Sequence, residues 1–156
     1  MILNRQRQVT ISIGDLEKFS AKLRKLLKIP ADAVTICLVT KTDIAKWNGA
    51  YRGKNRPTDV LSFTPDESPA KQRVPRLSRK RTSWKSNGDI SNYWGDIAIA
   101  PAIARQHARR FGRDFNDEMR ILILHGILHL MGYDHETDGG QMDRREMRLR
   151  RQLGLA

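Results

Sequence analysis

The sequence has one cysteine and no long apolar segment, and these two shortages exclude several classes of protein. A single cysteine, Cys37, excludes an internal disulfide, and its place within the apolar residues 34–39 predicts a small buried hydrophobic side chain. No stretch approaches the roughly 20 apolar residues of a membrane span. The N-terminal residues 1–5 also lack the apolar core of a signal peptide. We therefore expect a cytoplasmic protein with no membrane partner.

Acidic residues are scarce relative to basic ones. There are 17 Asp and Glu against 29 Lys and Arg, which gives a net charge of +12 and a pI of about 10.4. This excess predicts a polyanionic partner, and nucleic acid is the usual one because its binding releases counterions. An anionic membrane surface is the weaker alternative, since no long amphipathic helix with an aromatic face is evident. Solvated surface charge without a partner is the other alternative.

The 156 residues suit one domain, and no internal repeat divides them. Apolar periodicity predicts the order strand, helix, strand, helix, strand, strand, helix, helix, helix. This order indicates a mixed sheet with helices packed on it. The strands are predicted at residues 8–13, 34–39, 60–63 and 96–100, and the helices at 15–28, after Thr42 and Asp43, at 101–111, after a cap at Asn116, and at 140–153.

Three of the four histidines lie within residues 125–135. His125 and His129 are four residues apart, so a helix presents both rings on one face. Gly132 follows where the helix must stop and turn, because glycine tolerates positive φ, and the turned chain can bring back His135. Three imidazoles with an open fourth position are typical of a catalytic zinc. The alternative, ordinary helix histidines, does not explain three of them at these offsets.

The same spacing, H-x-x-x-H-x-x-G-x-x-H, occurs in the metzincin proteases. Those enzymes have a Glu directly after the first histidine as their general base, whereas this chain has Gly126. A glycine side chain cannot accept a proton, so the pattern predicts a metal site on the helix and the following turn without the usual peptidase base. A zinc peptidase is therefore a disfavoured alternative.

Longer motifs resemble the YbeY family of rRNA maturation factors. Residues 125–135 match H-G-x-L-H-L-x-G-Y-D-H, and residues 48–63 have the sequence N-G-A-Y-R-G-K-N-R-P-T-D-V-L-S-F, similar to the family's second signature. The G-D-I of residues 95–97, Met142 and Glu146 also fit, so the resemblance covers about residues 40–150. It implies an α+β domain with a four-stranded mixed sheet and about five helices. It also implies a metal-dependent, single-strand-specific endoribonuclease in 16S rRNA 3′-end maturation and ribosome quality control.

The resemblance also implies roles for particular residues. One divalent ion, expected to be Zn²⁺, would bind His125, His129 and His135, and His125 would belong to the catalytic group as well. Arg52 matches the family arginine that faces the metal, and a guanidinium suits a phosphate because it offers paired donors. Lys54 and Arg56 are expected as phosphate contacts. The implied partners are ribosomal RNA and ribosomal subunits, with no small-molecule cofactor.

For several other polar residues, the sequence leaves two interpretations open. Tyr51 is either a core side chain, which we favour, or a base-stacking one. Asp134, like Asp96 and Asp138, either orients a ligand or serves the local turn, and His107 is expected to face solvent in preference to a metal role.

The segment 65–92 departs from the family pattern. It carries seven Lys or Arg between Lys71 and Lys85 and little apolar periodicity, which predicts a long basic loop inserted into the single domain of residues 1–156. The loop is either an RNA-binding arm or an expendable insertion. For the whole protein, the alternative to the nuclease is a ribosome-assembly RNA-binding factor whose metal is mainly structural.

Overall fold

A computed structural model describes residues 1–53, 58–65, 93–134 and 136–155 of the chain. These residues form four strands and five helices, as the sequence predicted for an α+β domain. The elements are β1 (Ile2–Asn4), α1 (Ile13–Leu27), β2 (Val34–Leu38), α2 (Lys41–Arg52), β3 (Val60–Phe63), β4 (Gly95–Ile99), α3 (Pro101–Phe111), α4 (Phe115–Leu130) and α5 (Gln141–Leu153).

The four strands form one mixed sheet in the order β1-β2-β4-β3. β2 pairs in parallel with both β1 and β4, and β3 pairs with β4 in the antiparallel direction. The two inner strands are buried along their whole length, as expected of strands covered on both faces. Ile36 at the centre of β2 pairs with Ile2 on one side and Ile97 on the other. The predicted mixed sheet is confirmed.

The first strand is not where the sequence predicted it. Residues 8–13 alternate apolar and polar side chains, yet the strand is Ile2–Asn4, and Ile13 already belongs to α1. Local hydrogen bonds to the Gln6 side chain take the place of strand pairing. The side-chain amide nitrogen of Gln6 donates to the Val9 carbonyl at 3.0 Å, and its amide oxygen accepts from the Val9 N–H at 2.9 Å. The alternation therefore reflects a locally closed loop with buried Val9, not pairing with a neighbouring strand.

Two helices begin earlier than predicted. The side chain of Thr40 accepts from the Asp43 N–H at 3.2 Å, so Thr40 caps α2 in place of Thr42. Asp114 accepts from the Asp117 N–H at 3.1 Å and caps α4 in place of Asn116. Both segments contain several residues able to cap a helix, and the sequence pattern does not distinguish among them. The predicted Pro101 at the start of α3 is confirmed.

Helix α4 lies in the core, as its apolar sequence predicted, and one glycine brings it close to the sheet. A Cβ atom placed on Gly126 would lie 2.8 Å from Cγ2 of Ile97 on β4, whose side chain is fully buried. Ser62 on β3 donates its hydroxyl to the Gly126 carbonyl at 3.2 Å. Gly126 therefore lies in close contact with β3 and β4. This contact sets the distance between the sheet and the neighbouring His125.

Some sequence predictions lie outside the described residues. They concern Lys54, Arg56, His135 and the basic loop beyond Pro65. Cys37 is fully buried, as predicted. Within the described ranges, no helix combines the length and apolar character needed to cross a membrane.

Candidate active site

His125 and His129 bring their Nε2 atoms to 3.2 Å from each other on one face of α4. Their ring centroids lie 4.8 Å apart and the ring planes are inclined by 75°. Two nitrogens bound to one tetrahedral zinc at 2.0–2.1 Å would be separated by about 3.3 Å. The observed separation therefore fits a shared ion, and the donor chemistry fits as well, because neutral imidazole is a good ligand for zinc.

Glu146 on α5 sets the orientation of the His125 ring. Its Oε2 atom lies 2.8 Å from Nδ1 of His125, and its Oε1 atom pairs with Arg150 at 2.9 Å. A carboxylate on Nδ1 holds the proton there and leaves the Nε2 lone pair for a metal. This contact joins α5 to α4. In the sequence, Glu146 fits the family pattern but had no predicted role.

The ionisation of Glu146 is set by opposing effects. Its burial acts to raise the pKa of the carboxyl group, but the hydrogen bond and charge of His125, followed by those of Arg150, outweigh it. The net result is a pKa below the ordinary value. Glu146 is therefore a carboxylate at neutral pH and accepts hydrogen bonds from both partners.

The chain turns after α4 as predicted. Gly132 has a φ of +99°, and its N–H donates to the His129 carbonyl at 3.0 Å. Asp134 then accepts from the Glu136 N–H at 3.0 Å, across the position of His135. Asp138 accepts from the N–H groups of Gly140 and Met142 at the start of α5. Both aspartates thus accept backbone hydrogen bonds in the connection between α4 and α5.

Arg52 is the last residue of α2 and is exposed. Its Nη2 donates to the Ser62 carbonyl at 3.1 Å, and Ser62 in turn donates to the Gly126 carbonyl. Arg52 is thus linked through one residue of β3 to the backbone beside His125. This chain of contacts positions the guanidinium relative to the histidines, while the head group stays accessible to solvent.

Tyr51 and Asp96 have surroundings typical of the fold's interior. The ring of Tyr51 meets that of Phe63 edge-on at 4.9 Å between centroids, and burial raises the pKa of the Tyr51 hydroxyl. The favoured core interpretation of Tyr51 accords with this packing. Asp96 is fully buried in β4 and accepts a hydrogen bond from the Tyr93 hydroxyl.

A second group of possible ligands combines Asp59, His107 and Glu118. One donor atom from each residue can be chosen so that all three lie within 4.8 Å of one another. His107 Nδ1 lies 3.0 Å from Asp59 Oδ2, and Arg113 pairs with Glu118 at 3.1 Å. The predicted solvent-facing His107 is in fact only partly exposed and is paired. This group was not predicted from the sequence, because its members come from three separate segments.

The fold and the site together define the class of protein, which is an α+β domain with a candidate metal site. Its central helix presents two convergent imidazoles, and a carboxylate lies behind one of them. An arginine is linked to the same helix through the sheet. This arrangement suits a metal ion facing an anionic substrate, because the imidazoles bring no negative charge and the arginine adds a positive one.

Comparisons with known proteins identify the family. The model described as Endoribonuclease YbeY matches residues 1–154. A protein named Endoribonuclease YbeY from Sulfurovum sp. (strain NBC37-1) is 33% identical over 153 residues, covering 98% of this chain and 90% of that protein. Another with the same name from Koribacter versatilis (strain Ellin345) is 32% identical over 155 residues, covering 99% and 86%.

A solved structure agrees with these sequence matches. The solution structure of TM1509 from Thermotoga maritima matches with a TM-score of 0.55 and 29% sequence identity, covering 95% of this chain and 85% of that one. The chain belongs to the YbeY family, as the sequence motifs indicated.

Proposed function

We propose that the protein is a metal-dependent endoribonuclease that cleaves single-stranded regions of ribosomal RNA in the cytoplasm, during 16S rRNA 3′-end maturation and ribosome quality control. The observation that carries the proposal is the convergence of the His125 and His129 Nε2 atoms at 3.2 Å. Membership of the family described as Endoribonuclease YbeY supports the reaction class. The net charge of +12 supports RNA and ribosomal subunits as partners.

In this proposal His125, His129 and His135 hold one divalent ion, with zinc the expected metal. Such an ion supplies Lewis-acid stabilisation of charge on phosphate oxygens. Glu146 keeps the proton of His125 on Nδ1, so that Nε2 is directed outward as a ligand atom. Gly126 offers no general base, and the proposal requires none from that position.

Arg52 is proposed as the residue that binds and orients the scissile phosphate. A guanidinium has five N–H donors, so the single bond to the Ser62 carbonyl leaves donors for a substrate oxygen. The bond also restrains the side chain, which lowers the entropic cost of using it. Lys54 and Arg56, which follow shortly after in the sequence, are proposed as further phosphate contacts.

A second candidate function has one observation in its favour. Because Glu146 on α5 contacts His125 on α4, an ion at the histidines would also stabilise the packing of these two helices. A ribosome-assembly factor with a mainly structural metal would use the same contact. Loss of the metal distinguishes the two candidates. The nuclease would lose RNA cleavage, whereas the assembly factor would lose its fold.

The deciding experiment joins elemental analysis to RNA cleavage, for the wild type and for His129→Ala. As a nuclease, the wild type holds one metal ion at the histidines and cleaves single-stranded RNA, whereas His129→Ala stays folded but loses RNA cleavage and the ion at the histidines. Gln152→Ala, an exposed substitution on α5, is the matched control. Unchanged cleavage by a His129→Ala protein that melts at a much lower temperature would favour the structural metal.

A further inference from the structure

We propose that Asp59, His107 and Glu118 form a second divalent-cation site, separate from the histidine centre. The three side chains come from the residue before β3, from α3 and from the first turn of α4. Their candidate ligand atoms all lie within 4.8 Å of one another. One imidazole nitrogen and two carboxylates are common ligands of Mn²⁺ and Zn²⁺.

The burial of the three groups suits a site that closes on an ion. The Glu118 side chain is only 5% exposed, whereas those of Asp59 and His107 are 22% and 38% exposed, so an ion can reach the group from their side. Ligand atoms around one small ion lie about 3 to 3.4 Å apart, given bonds of roughly 2.0–2.2 Å. The His107–Asp59 contact of 3.0 Å already meets this requirement. The two pairs that include Glu118 lie within 4.8 Å and would have to shorten toward this separation when an ion binds.

The local charge balance also favours a cation. With His107 neutral, the group carries two negative charges and receives one positive charge, from Arg113 on Glu118. Within the described residues no Lys or Arg pairs with Asp59; its carboxylate meets His107 and, at 3.5 Å, the Thr58 hydroxyl. Partly buried carboxylates are stabilised by full compensation of their charge. A divalent ion would provide it and would compete with Arg113 for Glu118.

The site is too far from the histidine centre to act as its catalytic partner. Glu118 and His125 are seven residues apart in α4, which is about 10 Å along the helix axis. Two-metal phosphoryl-transfer sites hold their ions about 3.5–4 Å apart. The second ion would therefore have a structural role. It would tie α3 and α4 to the start of β3, the strand whose Ser62 contacts both Arg52 and Gly126.

The test counts ions and uses a readout other than activity. Zn²⁺ is counted by elemental analysis after dialysis, and Mn²⁺ by electron paramagnetic resonance titration. The wild type should bind two ions per chain. His107→Asn, which keeps an N–H for Asp59 but removes the nitrogen lone pair, should bind one. His129→Ala should bind one ion at the second site, and that ion should raise its melting temperature. The double variant should show no such rise.

Arg113→Gln separates a cation site from a simple set of ion pairs. Removal of the competing guanidinium should tighten Mn²⁺ binding in the His129→Ala background by about threefold or more, a scale set by single surface charge pairs. If the group is only a set of ion pairs, Mn²⁺ will not bind in this background with or without Arg113. That result, or one ion per chain in both the wild type and His107→Asn, would overturn the proposal. Should His107→Asn fail to fold, Asp59→Asn must give the same loss of one ion.

Discussion

Two carboxylate–histidine pairs in different parts of the fold look alike and differ in their surroundings. Glu146 lies 2.8 Å from His125, and Asp59 lies 3.0 Å from His107. The Glu146 pair is more deeply buried and has a second imidazole beside it, that of His129, whereas the Asp59 pair has a second carboxylate, that of Glu118. In the proposed function, the Glu146 pair orients an imidazole nitrogen toward an ion that faces an anionic substrate. The other collects negative charge, which suits an ion that holds segments together.

The largest expected effect is on RNA turnover at the histidine region, and it comes from Arg52→Lys. Lysine keeps the charge but loses the paired donors of the guanidinium. We expect RNA turnover to fall by about 10²-fold or more, comparable to the loss of one oxyanion donor. RNA binding should change much less, because more than two dozen other basic residues remain. Single-turnover cleavage beside a binding titration measures both, on protein of verified metal content.

The matched control for this substitution is Arg24→Lys. Arg24 also donates to a backbone carbonyl, that of Ala31, but it lies on α1. The Arg24→Lys substitution should leave RNA turnover unchanged. Equal losses of binding and cleavage in Arg52→Lys would reduce Arg52 to a docking contact.

The next effect concerns metal affinity and compares the two carboxylates directly. Glu146→Gln removes the charge that orients His125, and losing such a partner typically costs 10–100-fold in metal affinity. Competition with a chelator should show this loss for the histidine centre. Asp59→Asn, the matched variant of the other pair, should leave the affinity of the histidine centre at the wild-type value. Similar losses in both variants would mean that the two regions are coupled, contrary to their separation along α4.

A smaller effect is expected from the basic segment 71–85. Binding to single-stranded RNA should weaken as salt rises, with a logarithmic slope of about 0.7 for each phosphate contacted. Deleting these residues removes seven positive charges and should flatten the slope if the segment is an RNA arm. The measurement is a salt titration of affinity for both proteins. An unchanged slope would leave phosphate binding to the rest of the chain and make the segment a passive insertion.

The smallest effect is an acid dependence of stability. The pKa of Glu146 is lowered in the folded protein because the hydrogen bond and charges of His125 and Arg150 outweigh its burial. A lowered folded pKa contributes stability that is present above the unfolded pKa, near 4.5, and is lost as pH falls through the folded value. Urea titrations of metal-free protein should show the wild type more stable than Glu146→Gln at pH 6. This difference should shrink below about pH 4.5; a constant difference would contradict the assignment.

The sequence predicted the features that depend on near neighbours in the chain. The His125–His129 pair follows from helical spacing, the turn at Gly132 from its tolerance of positive φ, and β2 from its apolar run. The error in the first strand has a local cause: residues 8–13 alternate like a strand, but both backbone groups of Val9 are hydrogen-bonded to the Gln6 side chain. Local pattern also gave no indication that Glu146 lies behind His125, 21 residues away, or that Asp59 meets His107 across 48 residues. Such contacts depend on how the helices pack.

The close approach of Gly126 to Ile97 limits which chemistries this scaffold can acquire. A metzincin-type base would require glutamate at residue 126, but even its first side-chain carbon would lie only 2.8 Å from Cγ2 of the fully buried Ile97. Glutamate at residue 126 would therefore require Ile97 or the helix to shift. A smaller side chain at residue 97, or a wider separation of α4 from β4, would have to accompany the new base. The packing of this one glycine thus sets a steric barrier between this scaffold and the proteases that share its histidine spacing.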